Sequence, residues 1–187
     1  MNSFYHEEEL KTLGLKHYGN NICISRNAQI YGAEQIEIGD NVRIDDFCIL
    51  SGKIRLGSYI HIAAYSGLFA GDGGIEISDF ANISSRVCIY AISDDYSGES
   101  MTNPMIPDSY KKLISQKVIV GKHVIVGSGS VILPGTELPE GCAVGALSLV
   151  KNRTEDWSVY AGIPAKRVKE RKKTILELEE KFKNKEY

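Results

Sequence analysis

Residues 24 to 66 read "ISRNAQIYGAEQIEIGDNVRIDDFCILSGKIRLGSYIHIAAYS". Stepping through them six at a time lands on Ile24, Ile30, Ile36, Val42, Cys48, Ile54, Ile60 and Ser66. Six of these eight are Ile or Val, whereas 33 such residues in a chain of 187 would put only about one or two there by chance, so the period is real. A second row, Ile38, Ile44, Leu50, Leu56, Ile62 and Leu68, runs beside the first. The pattern slips at "FAGDGG", resumes at Ile77, Ile83 and Ile89, and returns as Val120, Val126, Ile132, Leu138, Val144 and Val150. Six is a multiple of the strand period of two, while six helical steps turn a residue by roughly 240° and scatter the row around the helix. The elements are short strands.

A strand that turns every six residues suits an all-β parallel β-helix, in which three short strands close one triangular coil and aliphatic side chains of successive coils stack inside. At roughly 18 residues a coil, the repeating segments 20–68, 75–92 and 117–150 supply about five or six coils. Gly39, Gly57, Gly121, Gly127 and Gly145 each follow an apolar residue, which predicts corners with positive φ at those positions. Three regions are expected: a helical cap over 1–19 with its helix in "HEEELKTL" at 6–13, a β-helix domain over 20–163 with an excursion at 93–116, and a C-terminal helix over 164–187. Pro164 is read as opening that last helix, with Val168, Ile175, Leu178 and Phe182 on one face.

Composition narrows the function classes. A net charge of −2, from 22 basic and 24 acidic residues, gives no general attraction to nucleic acid, so any polyanion must be met by a local patch. The N-terminal stretch has no apolar leader and no apolar run approaches the ~20 residues that span a bilayer, which points to the cytoplasm without membrane insertion. Cys23, Cys48, Cys88 and Cys142 lie far apart with no CxxC pair and read as small packing residues. With only His61 and His123 inside the repeats, a β-helical zinc enzyme is not supported and no metal is expected. A purely structural solenoid leaves the interruption "VCIYAISDDYSGESMTNPMIPDSY" at 87–110 unexplained.

That interruption, together with the hexad rows, "VIVGSGSVILPG" at 124–135, "VGALSLV" at 144–150 and "YAGIPAKRV" at 160–168, resembles the left-handed β-helix acyltransferases that use acetyl-CoA. More narrowly, "FYHEEELKTLGL", "NVRIDDFCILSG", "HIAAYSGLF" and "SDDYSGE" are similar to bacterial enzymes of the viosamine and anthrose type, which N-acylate nucleotide-linked 4-amino-4,6-dideoxyglucose. The resemblance implies acetyl-CoA as acyl donor, a nucleotide-linked amino-deoxysugar as acceptor in lipopolysaccharide (O-antigen or capsule) biosynthesis, and a homotrimer with active sites between subunits. O-acetylation of a galactoside or polysaccharide hydroxyl is the alternative.

In the galactoside and maltose O-acetyltransferases a catalytic His follows the strand that here is "VCIYAIS", and the resemblance places Asp94 at that position. Activating a sugar hydroxyl requires a base near neutrality, which His supplies and an ordinary Asp, with a pKa of ~3.9, does not. An amine needs less help, because its neutral fraction already carries a nucleophilic lone pair. Asp94 can orient it and carry its developing positive charge, which favours N-acylation.

His61 is the remaining base candidate, and Ser84, Asp95, Tyr65, Asn82 and Tyr110 are candidate substrate contacts, each with a turn or packing role as its plain alternative. His123, at a corner beside Lys122, is read as exposed. For CoA the resemblance implies Ser128 and Ala146 along the pantetheine arm, and Lys151, Lys166, Arg167 and Lys169 near its phosphates, although "KRVKERKK" also fits a solvated helix face.

Overall fold

The computed structural model describes residues 3–184. From Tyr18 to Gly162 the chain winds as a parallel β-helix with three strand-bearing faces. On the first face Ile22–Ile24, Val42–Ile44, Ile60–Ile62, Asn82–Ile83, Ile125–Val126, Ala143–Val144 and Ser158–Gly162 pair in that order. The second stacks Gln29–Tyr31, the starts of two long strands Ile49–Leu56 and Gly67–Ile77, then Cys88–Tyr90, Val131–Ile132 and Leu149–Val150. The long strands bend round the next corner, so their ends join His17–Tyr18, Ile36–Ile38, Val118–Val120 and Glu137–Leu138 on the third face.

The hexad rows are the interior. Ile24, Ile44, Ile62, Ile83, Val126 and Val144 lie in register, as do Ile38, Leu56, Ile77, Val120 and Leu138. Removing each large aliphatic side chain from water is worth roughly 1.5–3 kcal/mol, and the parallel register repeats that gain at every coil. The two polar interruptions of the first row fit the same pattern. Cys48 is fully buried with its thiol against Ala63 O at 3.2 Å, and burial pushes its pKa up to about 11. Buried Ser66 donates to Ser84 O at 3.0 Å.

The expected corner glycines have a different role. None of Gly39, Gly57, Gly121, Gly127 and Gly145 has positive φ, and the left-handed residues sit two positions later, at Asn41, Tyr59, His123, Gly129 and Leu147. What those glycines supply is closeness between coils: a Cβ at Gly39 would lie 2.6 Å from Gly57 O, and one at Gly127 2.4 Å from Ala146 N.

Both ends are closed by non-repeating pieces. Helix α1, Glu7–Leu10, buries Leu10, and Glu9 binds Arg26 through both oxygens at 2.7 and 2.5 Å, which with the His6 backbone amide lowers its pKa to about 2. The expected C-terminal helix begins later than Pro164. Ala165–Glu170 instead folds back antiparallel on Ser158–Gly162, leaving Val168 exposed on a strand, and helix α2 spans Thr174–Lys183. An edge strand at the end of a sheet has unpaired amides and carbonyls to satisfy, and this hairpin satisfies them before the helix starts. Residues 185–187, part of the expected helix, lie outside the described residues.

The excursion leaves between the second and third faces. Ile92–Asp94 pairs antiparallel with Leu113–Ser115, so its base is a two-stranded ladder. The "FAGDGG" slip one coil below makes room for it. A Cβ on Gly71 would press on the Ile92 side chain at 3.1 Å, and one on Gly73 would lie 2.6 Å from Ala91 O.

Candidate active site

The corner between the first and second faces is a backbone-bonded ladder. Ser84 N donates to Val126 O at 3.0 Å, Gly129 N to Ser85 O at 3.0 Å and Leu147 N to Ser128 O at 2.9 Å. Ser85, Ser128 and Ala146 therefore form an outward column of small side chains, with Ser85 and Ser128 hydroxyls 3.4 Å apart. A slender ligand arm can approach the backbone along such a column. Ser84 lies one residue before this column, in register with Gly127 and Gly145; it is half-buried, and its hydroxyl has no hydrogen-bond partner among the described residues.

At the other end of the strand Cys88–Tyr90 lies Asp94. Strand pairing with Leu113 fixes its backbone, yet its half-buried carboxylate has no partner among the described residues. Ser84 precedes the strand Cys88–Tyr90 and Asp94 follows it, so the two stand on opposite edges of one face. Asp95 differs from its neighbour. It accepts from Ser97 N at 3.0 Å, Ser97 Oγ at 2.7 Å and Ser100 Oγ at 2.9 Å, bonds that lower its pKa and commit both oxygens to a turn rather than to substrate. Tyr110, in the turn Asp108–Tyr110 three residues before the base strand Leu113–Ser115, is exposed.

His61 and Asn82 are adjacent in one outward row of the first face. The His61 Nε2–H donates to Asp45 Oδ2 at 2.8 Å, and Nδ1 lies 3.2 Å from the Asn82 amide oxygen. Burial acts to raise the Asp45 pKa, but the hydrogen bonds from His61 and from Arg43, at 2.7 Å, outweigh it and lower the value. Both ring nitrogens of His61 thus face oxygen atoms of the neighbouring coils, Asp45 on one side and Asn82 on the other. Tyr65 sits on the corner, stacked on Phe47 with ring centroids 5.0 Å apart.

Lys151, Lys166 and Lys169 are exposed and make no ion pair among the described residues, leaving them available to phosphates. Arg167 is engaged within the chain, to Glu155 at 3.0 Å, Glu170 at 3.7 Å and Ser158 Oγ at 3.2 Å. His123 is buried, not exposed. Its Nε2 is 2.6 Å from Glu179 of α2, which also binds Lys122 at 2.7 Å and Lys183 at 2.5 Å. No group of three His, Cys, Asp or Glu among the described residues is placed to hold a metal ion.

Sequence reasoning missed Asp45, Glu179 and Arg86. Asp45 and Glu179 act through partners 16 and 56 residues away, and no local motif links them. Arg86 follows "NISS" with no periodic signal of its own.

A carboxylate at the excursion, a hydroxyl beside a small-residue column and lysines beyond it, none of them paired among the described residues, suit acyl transfer from a long phosphate-bearing thioester. No family model matches the chain. It is 50% identical over 184 residues to the dTDP-4-amino-4,6-dideoxy-D-glucose acyltransferase of Escherichia coli, covering 97% of this chain and 95% of the relative. Among solved structures it matches AntD, an N-acyltransferase from Bacillus cereus, in complex with dTDP and 3-hydroxybutyryl-CoA, with a TM-score of 0.97 at 53% identity over 99% of this chain and 98% of AntD. The S84A variant of AntD, in complex with dTDP-4-amino-4,6-dideoxyglucose and coenzyme A, matches with the same TM-score of 0.97 at 52% identity, over 99% of this chain and 100% of that one. The chain belongs to the left-handed β-helix acyltransferases, in the family of the dTDP-4-amino-4,6-dideoxy-D-glucose acyltransferases.

Proposed function

We propose that the protein transfers an acyl group, acetyl as the default donor, from acyl-CoA to the 4-amino group of dTDP-4-amino-4,6-dideoxyglucose, supplying an N-acylated sugar for surface polysaccharide such as the lipopolysaccharide O-antigen or capsule. The observation that carries this is the unpaired Asp94 carboxylate at the base of the excursion. AntD supports the assignment: its D94A and S84A variants have been crystallised with CoA and with dTDP or the amino sugar nucleotide, and this chain has Asp94 and Ser84 at the same numbers.

The neutral amine attacks the thioester carbonyl, the new C–N bond forms and the C–S bond breaks. Asp94 orients the amine and stabilises the positive charge that builds on nitrogen, and the proton passes to the departing CoA thiolate. Ser84 contacts the acceptor, with Tyr65 and Asn82 flanking it. Ser128 and Ala146 line the pantetheine arm, and Lys151, Lys166 and Lys169 meet the CoA phosphates. Because Ser84 and Asp94 occupy opposite edges of one coil face, a site that uses both draws them from two copies, which supports a homotrimer with three sites between subunits. Nucleotide sugars and acyl-CoA are cytoplasmic metabolites, and we place the enzyme there.

Free-thiol release from acetyl-CoA and 3-hydroxybutyryl-CoA, followed across dTDP-linked amino sugars and simple galactosides, tests the reading. Turnover of the 4-amino sugar and its loss in Asp94→Asn are expected. Efficient acylation of galactoside hydroxyls with no turnover of the amino sugar would overturn it. Light scattering in solution tests the trimer.

A further inference from the structure

Arg86 is exposed, and among the described residues its guanidinium makes neither an ion pair nor a hydrogen bond. Its one partner is the ring of Tyr65, whose centroid lies 5.8 Å from Cζ. Tyr65 stacks in turn on Phe47, with an interplanar angle of 22°. The three residues hold the same left-handed corner position in successive coils, at φ 60, 65 and 60° for Phe47, Tyr65 and Arg86. Asp46 O accepts from Tyr65 N at 3.0 Å and Ala64 O accepts from Arg86 N at 3.1 Å, which sets them one above another. Bulky side chains rarely adopt this conformation, and at another corner the same kind of position is filled by Asn21 and Asn41. The next residue in the Arg86 column is Gly129, which has no side chain to set against the guanidinium, and Leu147 of the coil beyond leans over that glycine.

A guanidinium beside an aromatic ring spends none of its N–H donors on that contact, and its fork can take two phosphate oxygens at once. We propose that Arg86, exposed beside the Phe47–Tyr65 stack, binds the diphosphate of the nucleotide-linked acceptor. The inference rests on the acceptor reading above. CoA also carries a diphosphate, and the position of Arg86 decides between the two ligands. Lys151, and Lys166 and Lys169 on the returning strand, lie two to four strand spacings further on, about 10–20 Å at ~4.8 Å per spacing, and serve the donor. Arg86 stands in the coil of Ser84, two residues from it, where the acceptor is required. Two polyphosphate ligands thus meet two separate groups of unclaimed cations.

Calorimetric titration of the full-length protein with dTDP and with CoA separates the sources. Arg86→Ala is expected to weaken dTDP binding by about 10- to 100-fold while CoA binding stays within twofold, and to raise KM for the amino sugar nucleotide far more than it lowers kcat. Arg86→Lys, which keeps charge but loses the fork, is expected to fall between. Unchanged dTDP affinity in Arg86→Ala, a loss confined to CoA, or a changed oligomer mass by light scattering would each overturn the proposal. A wild-type protein that binds CoA but not dTDP would instead refute the acceptor reading.

Discussion

Replacing Glu179 with Ala is expected to loosen helix α2 from the β-helix, because Glu179 is the anionic centre of a buried cluster. Its side chain is 7% exposed and meets His123, 2% exposed, at 2.6 Å, with Lys122 and Lys183 on its other oxygen at 2.7 and 2.5 Å. Removing one member of a buried ion pair costs about 3–5 kcal/mol, since the other is left desolvated and unpaired. Here Lys122 and Lys183 are 33% and 60% exposed and can turn to water, so the expected loss falls below that range, at about 2–3 kcal/mol. At ~2–4 °C per kcal/mol for a chain of this size, thermal unfolding should shift down by about 4–12 °C. Amides of Thr174–Lys183 should lose hydrogen-exchange protection more than those of the inner coils.

The double variant His123→Phe with Glu179→Leu sharpens the test. Phe at 123 continues the ring stack in which Phe80 lies 5.2 Å from His123, and apolar replacement of a buried pair is often neutral or stabilising. Recovery of most of the loss is expected. A melting shift under about 1 °C in Glu179→Ala, with α2 protection intact, would refute the reasoning.

Acid should act through the same residue. Burial raises the Glu179 pKa, but hydrogen bonds from Lys122, Lys183 and His123 outweigh it and lower the value from 4.5 to about 2. A lowered folded-state pKa contributes stability that is present above pH 4.5 and lost as pH falls through about 2, so the gap between wild type and Glu179→Gln should narrow across that window in denaturant melts. Gly141→Ala places a Cβ 2.4 Å from the Trp157 ring at φ +69°, and overpacking plus left-handed strain should cost about 2–4 kcal/mol in urea unfolding. Lys166→Ala should reduce the preference for CoA over 3′-dephospho-CoA, and an unchanged ratio of the two affinities would remove Lys166 from the phosphate site.

The repeat was legible because a solenoid writes its core into the chain locally. Ile44, Ile62 and Ile83 need only recur at the coil length for a parallel register to stack them, and their burial follows. The excursion was legible as a loss of that recurrence, and Asp94 within it through resemblance. The last helix was misplaced because Pro164 and the charged run after it fit a helix start as well as they fit the hairpin Ser158–Glu170, and only the open sheet edge beside them decides. His61 looked like a free base because Asp45 and Asn82, its partners one coil to either side, have no adjacency in sequence.

By itself, the sequence determined the class of fold, the place where the repeat opens and the chemical type of the residue standing there, since period and residue identity are properties of the chain. Tertiary structure decided which polar groups are spent and which are free. Asp94 and Asp95 are neighbours of one type, yet Ser97 and Ser100 claim Asp95 while Asp94 is left unpaired among the described residues. His61 and His123 are both engaged by carboxylates, while Arg86, among the described residues, meets only an aromatic ring. Availability depends on what the coil above, the coil below and the returning helix bring within hydrogen-bond distance, and those partners are set by stacking across 16 to 56 residues.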